Sequence, residues 1–399
     1  MRTFLAAAIA ALALLVAPAA AQTPSPSPAP SASASPAPSP SPTPRAWAAS
    51  GYAAASYNAS SLGPGTAGFS FANGGASRVF DTISRQPMLN AINVQLQKNG
   101  TISGKIELTA GTNANVIASY PYANNPNPLQ TAFDVTQANI GYTSGPFTVV
   151  AGKFETLAGA EVIEDPANVN ISRSILFGFA VPFTHTGARL TYAPNSLLSL
   201  IAGVNNGWDN LKGPSGPRTA ELGAAYNGAV ISVTAQGYIG MERFSNSMWS
   251  ATGDSPAGHR ALIDAVATWH TTPKLTFIAN VDSGRQTAVP LVDSTGTPIG
   301  GPLGIAIWNG VAGYAEYQFN AKLSATLRSE AFNDRGGYRT GFDQQWGEST
   351  LTFAYAPSGS VTFRIEGRAD HSNHPVWADQ VGALHGAMQS IAAQVLVKF

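Results

Sequence analysis

The sequence predicts an all-β fold: a transmembrane antiparallel β-barrel of about 16 strands, with its third extracellular loop folded inward. Three observations predict it. The chain closes on Ile391-x-Ala393-x-Val395-x-Val397-x-Phe399, while Ser390, Gln394 and Lys398 take alternate positions. Such alternation puts one face of a strand against lipid and the other against a lumen. The same pattern recurs along the chain, and the connections between its repeats alternate short and long. Composition agrees. Only 11% of residues are charged, against about 25% in a typical soluble domain. No apolar run beyond residue 21 approaches the ~20 residues of a membrane helix.

The elements follow in chain order. Arg2, the apolar run Phe4–Val16 and Ala19-Ala20-Ala21 form a signal peptide over residues 1–21, with cleavage expected after Ala21. Residues 22–45 are almost wholly Pro, Ser, Ala and Thr, so they bury no apolar surface and predict an extended, disordered tether. The barrel takes residues 46–399. In 101–110, Ile102, Gly104, Ile106 and Leu108 oppose Ser103, Lys105, Glu107 and Thr109. In 311–320, Val311, Ala315, Tyr317 and Phe319 oppose Tyr314, Glu316, Gln318 and Asn320. In 322–332, Leu323, Ala325 and Leu327 oppose Lys322, Ser324, Thr326, Arg328 and Glu330. In 361–370, Val361, Phe363, Ile365 and Ala369 oppose Arg364, Glu366, Arg368 and Asp370. A row of four charges on one face suits either a solvent face or an aqueous channel wall. Aromatic residues near strand ends (Tyr142, Tyr192, Tyr226, Trp269, Tyr317, Phe353, Tyr355, Phe399) favour the channel, because such residues form interfacial girdles.

Short turns are expected at Lys98-Asn99-Gly100, Ser144-Gly145-Pro146, Ala193-Pro194-Asn195, Asn227-Gly228, Thr271-Thr272-Pro273, Phe319-Asn320-Ala321 and Pro357-Ser358-Gly359. Longer loops lie at 59–87, 113–131, 158–184, 208–217, 243–258, 287–307, 335–345 and 373–385. The even strand count brings both ends of the barrel to the short-turn side. The third loop is too apolar to stand in water: Ile171, Ile175, Leu176, Phe177, Phe179 and Phe183 require burial. Folded into the lumen, it would narrow the channel and place Glu161, Glu164, Asp165 and Arg173 there. Lys153 and Glu155 lie on the strand leading into it. Lys105, Glu107, Arg189, Arg260, Asp264, Glu316, Arg328, Glu330, Arg364, Glu366 and Arg368 are expected along the pore wall. Rings of charge of this kind set selectivity in channels. The signs are mixed, so strong ion selectivity does not follow.

Several ordered motifs carry a family resemblance. Asp134-Val-Thr-Gln-Ala, Ala151-Gly152-Lys153-Phe154-Glu155-Thr156, Gly159-x-Glu161, Asn168-x-Asn170-x-Ser172-Arg173-Ser174 and Pro182-Phe183-Thr184-His185-Thr186-Gly187 resemble the OmpL-like β-barrel porin family. The likeness is densest over 132–210, ending at Gly203-Val-Asn-Asn-Gly-Trp208-Asp209, and excludes the Pro-rich tether. It implies a bacterial outer-membrane porin without catalytic residues.

Other chemistries find little support. Gly63-x-Gly65-x-x-Gly68 matches a dinucleotide fingerprint only in letters, since Pro64 denies it the flanking strand and helix; it is expected to be a flexible loop. His371, His374 and His385 beside Asp370 and Asp379 lack metal-site spacing, so no metal or other cofactor is expected. No G-x-S-x-G elbow occurs, and no enzyme is expected. Net charge is zero and Cys is absent, so neither nucleic-acid binding nor disulfides are indicated. The expected function is passive diffusion of small hydrophilic solutes or ions. The expected partners are outer-membrane lipid, those solutes, the assembly machinery that reads the strand ending at Phe399, and copies of the chain in a homotrimer. Trp208, Trp249 and Trp308 are placed in loops, as contacts or girdles. A structural or adhesive barrel with a closed lumen and a soluble secreted β-rich protein are the alternatives.

Overall fold

The computed structural model describes residues 47–119, 133–211, 218–243 and 257–399. The signal peptide, the tether, Trp249 and parts of the second, fourth and fifth long loops lie outside the described residues. The barrel strands are β1 (Ala48–Ser60), β2 (Gln86–Lys98), β3 (Ile102–Ala110), β4 (Phe133–Ser144), β5 (Phe147–Glu155), β6 (Thr184–Tyr192), β7 (Leu198–Asn205) and β8 (Thr219–Asn227). They continue as β9 (Ile231–Arg243), β10 (Ala257–Thr272), β11 (Leu275–Val289), β12 (Gly304–Asn320), β13 (Leu323–Arg335), β14 (Gln344–Ser358) and β15 (Val361–Ser372). A small hairpin, β16 (Trp377–Ala378) and β17 (Leu384–His385), sits in the last loop before β18 (Ala387–Lys398).

Strands β1–β15 and β18 close into one antiparallel barrel of sixteen. Each pairs with its chain neighbours, and β18 pairs with both β15 and β1. Closure is completed by Phe399, whose N–H donates to Gly51 O at 3.0 Å while Gly51 N–H donates back at 2.9 Å. Such closure removes the unpaired edge that lipid cannot satisfy. Long β12 starts at Gly304, so the sixth loop is shorter than 287–307.

Burial separates the two faces. On β15, Arg364, Glu366, Arg368 and Asp370 are buried, whereas Phe363, Ile365, Gly367 and Ala369 are exposed. Exposed apolar side chains recur around the wall, including Ile140, Leu200, Leu222 and Ile263. This is the inversion that a lipid solvent requires. The expected girdle aromatics all lie toward the short-turn side, and Phe147 stacks on Tyr192 there at 4.8 Å.

The main apolar cluster lies inside the barrel. Lumen-facing Tyr238, Trp308, Tyr314, Phe332, Trp346 and Met388 pack against loop residues Leu62, Phe69, Phe71, Phe80, Phe177, Trp208, Phe342 and Trp377. Two expectations are corrected by this cluster. Trp308 stands on β12, and both it and Trp208 are buried inside, so neither is a girdle residue. The first loop, with its Gly63-x-Gly65-x-x-Gly68 run, is packed rather than free: Phe71 stacks on Trp377 at 5.9 Å and meets Trp346 edge-on at 5.4 Å. The short-turn half keeps small, half-exposed lumen residues such as Ser103, Thr148, Thr191, Ser199 and Thr234.

The two faces make opposite demands on charge. Ile140→Arg puts a guanidinium into lipid and is expected to cost about 2–4 kcal/mol if it lies near the bilayer midplane. Ser199→Arg, facing the lumen, is expected to cost under about 0.5 kcal/mol. Denaturant titration of vesicle-inserted barrel measures both; equal costs would contradict the assignment of faces.

Candidate pore constriction

The third loop, residues 156–183, leaves β5, crosses the lumen and returns into β6. Gly159 takes φ +95°, a left-handed conformation that turns the chain inward without a Cβ penalty. A 3-10 turn over Asp165–Ala167 and a short helix, Ile175–Phe179, shape its tip. Ser174 caps that helix, its Oγ accepting the Phe177 N–H at 2.9 Å. Close approach to the first loop needs Gly178, where a Cβ would lie 2.1 Å from Val79 Cγ2.

A loop inside a barrel must find partners for its backbone. Wall charges supply them. Glu366 accepts the N–H groups of Ile171 (2.6 Å) and Ser172 (3.0 Å). Glu330 accepts those of Ile175 (2.8 Å) and Leu176 (3.0 Å). Arg328 donates to Ser172 O at 2.7 Å, and Arg368 donates to Arg173 O at 2.8 Å. Arg364 donates to Asn168 O and to Asp165 O. The guanidiniums also meet carboxylates: Arg328 pairs with Glu161 and Glu348 at 2.7 Å each, and Arg368 with Asp370 at 2.7 Å. All of these wall groups are buried.

The predicted wall residues therefore separate into two sets. Arg328, Glu330, Arg364, Glu366 and Arg368 form a docking rack covered by the third loop, rather than a water-facing wall. Arg189 pairs with Glu221 at 2.8 Å and lies over Phe154; Asp264 accepts from Asn280 Nδ2 at 2.6 Å; both are buried. Arg260 packs among aromatic rings near the long-loop end of β10. Half-buried Glu316 stands toward the short-turn end of β12 and makes no ion pair among the described residues.

The predicted constriction residues also separate. Lys153 is buried against Asp134 at 3.2 Å and donates to Val135 O at 2.7 Å. Arg173 clasps the loop to itself, donating to Val162 O and Ile163 O and pairing with Asp165 at 3.1 Å. Glu161 is taken up by Arg328 and by the Ser174 N–H at 2.7 Å. Glu155 and Glu164 instead meet Lys105 and Glu107 where the loop's rim approaches β2–β5. Lys105 Nζ lies 2.9 Å from Glu107 and 3.6 Å from Glu164. Carboxylate oxygens of Glu107, Glu155 and Glu164 lie within 4.8 Å of one another. Lys105 and Glu164 keep side-chain exposures of 21% and 16%, so solvent reaches them. Burial and the adjacent Glu107 charge push the Glu164 carboxyl above its ordinary range.

Some participants were not singled out from sequence. Arg78, from the first loop, bonds Asp81, Asp370 and Ser390 at 2.9–3.0 Å. Tyr52, Tyr238, Asn280 and Tyr314 also touch the third loop. A signal existed for the first loop: Leu62, Phe69, Phe71, Val79 and Phe80 make it as apolar as the third.

This architecture has known counterparts. The model of the beta-barrel porin-2, OmpL-like family (BBP2) matches residues 48–397. The chain belongs to this porin family. No curated protein matches the chain by sequence. Among solved structures, the outer-membrane channel DcaP of Acinetobacter baumannii superposes with TM-score 0.57 at 11% identity, covering 88% of this chain and 97% of that one. The anion-selective porin from Comamonas acidovorans gives 0.56 at 9%, covering 89% and 99%. Vibrio cholerae OmpT, solved in a trimer form, gives 0.55 at 11%, covering 89% and 99%. These likenesses carry the fold: the chain is a sixteen-stranded barrel of the outer-membrane porin kind.

Removing the rack's central cation should expose what it holds. Arg328→Met leaves buried Glu161 without a guanidinium and Glu348 with only Arg368 at 3.5 Å, at an expected cost of about 3–5 kcal/mol. Denaturant unfolding measures that loss. The loosened loop should also become cleavable by trypsin after Arg173. A variant as stable as the parent and uncut at Arg173 would refute the rack.

Proposed function

We propose that this BBP2 barrel passes small hydrophilic solutes and ions by passive diffusion, and that they cross beside Lys105, Glu155 and Glu164. The carrying observation is that Lys105 and Glu164 retain solvent contact beside the third loop, while the rack charges are consumed by it. Three carboxylates, Glu107, Glu155 and Glu164, face a single ammonium, Lys105. That surplus favours cations at this point. No reaction is assigned to any residue. Export by the 1–21 signal peptide, recognition of the strand ending at Phe399 by the assembly machinery, and a homotrimer like that of OmpT complete the proposal. Native mass measurement in detergent tests the trimer.

Planar-bilayer recording tests the channel. Stepwise conductance is expected, and silence would favour a closed structural barrel. Glu164→Gln should lower the cation-to-anion permeability ratio, and Lys105→Gln should raise it, as read from reversal potentials in a salt gradient. Lowering pH should act like Glu164→Gln. Because the Glu164 carboxyl is raised, it loses its charge earlier in an acid titration than an ordinary glutamate does. Ratios that ignore both substitutions would place the solute path elsewhere.

A further inference from the structure

The long-loop end of the barrel holds a second cluster of charge, apart from the constriction. Arg260 and Arg339 share the ring of Trp208, with Cζ atoms 4.6 and 5.5 Å from its centroid. Arg339 also lies 5.4 Å from the Trp308 ring and 5.7 Å from that of Tyr338. Arg260 is tied in place, donating Nε–H to Gln286 at 2.8 Å and Nη2–H to Tyr338 Oη at 2.6 Å. Arg339 donates its Nε–H to Phe179 O of the third loop. Its Nη groups have no hydrogen-bond partner among the described residues.

Neither guanidinium forms an ion pair among the described residues. The nearby carboxylates offset part of this charge from a distance, but their hydrogen bonds go to other groups. Glu242 accepts the Trp208 N–H and the Thr219 hydroxyl. Asp209 accepts the Phe183 and Thr184 N–H groups. Asp334 accepts the Arg339 and Thr340 N–H groups. Burial, followed by repulsion from Arg260, lowers Arg339 to about 10. The three rings are buried, Arg260 is buried with them, and Arg339 above them is half-buried, so that solvent reaches the site through Arg339. Solvent thus meets an N–H fork rather than an aromatic face. A sugar would need the face. An oxyanion needs the fork, because guanidinium geometry matches carboxylate and phosphate oxygens.

We propose that Arg260 and Arg339 form a binding site for a small solute bearing a carboxylate or phosphate, at the outer entrance of the barrel. The aromatic rings hold the two like charges in place, and an arriving oxyanion relieves their repulsion. The site goes beyond the porin reading: it holds an oxyanion at the entrance, apart from the constriction, where the surplus of carboxylates favours cations. Its equilibrium occupancy does not depend on conduction, so the two ideas fail separately.

The test is isothermal titration of the folded full-length barrel in neutral detergent with succinate, inorganic phosphate and neutral arabinose. Saturable binding of succinate or phosphate is expected, with arabinose silent and affinity falling as salt rises. Arg339→Gln should weaken binding at least tenfold, and Arg339→Lys should retain part of it. Arg285→Gln, an exposed cation on the outer face of β11, should leave it unchanged. Heat-shifted gel mobility establishes that each variant is folded. Absence of saturable anion binding to the parent overturns the proposal, as does equal affinity in folded Arg339→Gln. A conducting barrel that binds neither anion would remove this site while leaving the porin reading intact.

Discussion

The interior of this barrel depends on one exchange: the wall supplies charge, and the third loop supplies backbone. A loop drawn into a barrel loses water from its N–H and C=O groups, and each unpaired group is costly. Buried arginines and glutamates on β13–β15 carry a reciprocal cost when left unpaired. Placed together, they satisfy one another. Glu330 and Glu366 take loop N–H groups in adjacent pairs, and Arg328 and Arg368 take the intervening carbonyls. Neither partner would be stable in this position alone.

This exchange explains why the loop's apolar side chains matter as well. Phe177 lies against Phe80 and Phe183 at 6.1 and 5.2 Å, so the loop's second face packs on the first loop while its backbone is held by the wall. At Gly310 a Cβ would lie 2.6 Å from Leu176, so β12 also meets the loop at van der Waals range. The constriction is therefore built on packed contacts and charged hydrogen bonds together. Such a loop is not expected to move on the timescale of solute passage without breaking several at once.

Much of the fold was legible in sequence because lipid imposes a strict two-residue period. The alternation Phe363-Arg364-Ile365-Glu366-Gly367-Arg368 can be read directly, and the Asn-Gly and Pro turns mark the reversals. The inward course of the third loop followed from an excess of apolar residues over what an exposed loop tolerates. The first loop carries the same apolar excess in Leu62, Phe69, Phe71 and Phe80, and it too is buried. Trp208 and Trp308 could not be placed in this way. Outside a regular alternation, a tryptophan carries no mark of which side of a wall it faces.

The candidate site was less legible because charge counts do not report on consumption. The sequence places Arg328, Glu330, Arg364, Glu366 and Arg368 on a polar stripe, and a polar stripe in a barrel reads as a channel wall. Only three-dimensional contact reveals that a loop has used those charges. What remains for a solute is small by comparison: Lys105, Glu155 and Glu164 beside the loop's rim, and Arg339 with Arg260 toward the outer end. A field acting on solutes is set by charges that keep solvent contact and are not fully offset by their neighbours, because tightly paired charges largely cancel at a distance. Selectivity in this barrel should therefore follow these few residues, despite the longer and nearly balanced inventory along its wall.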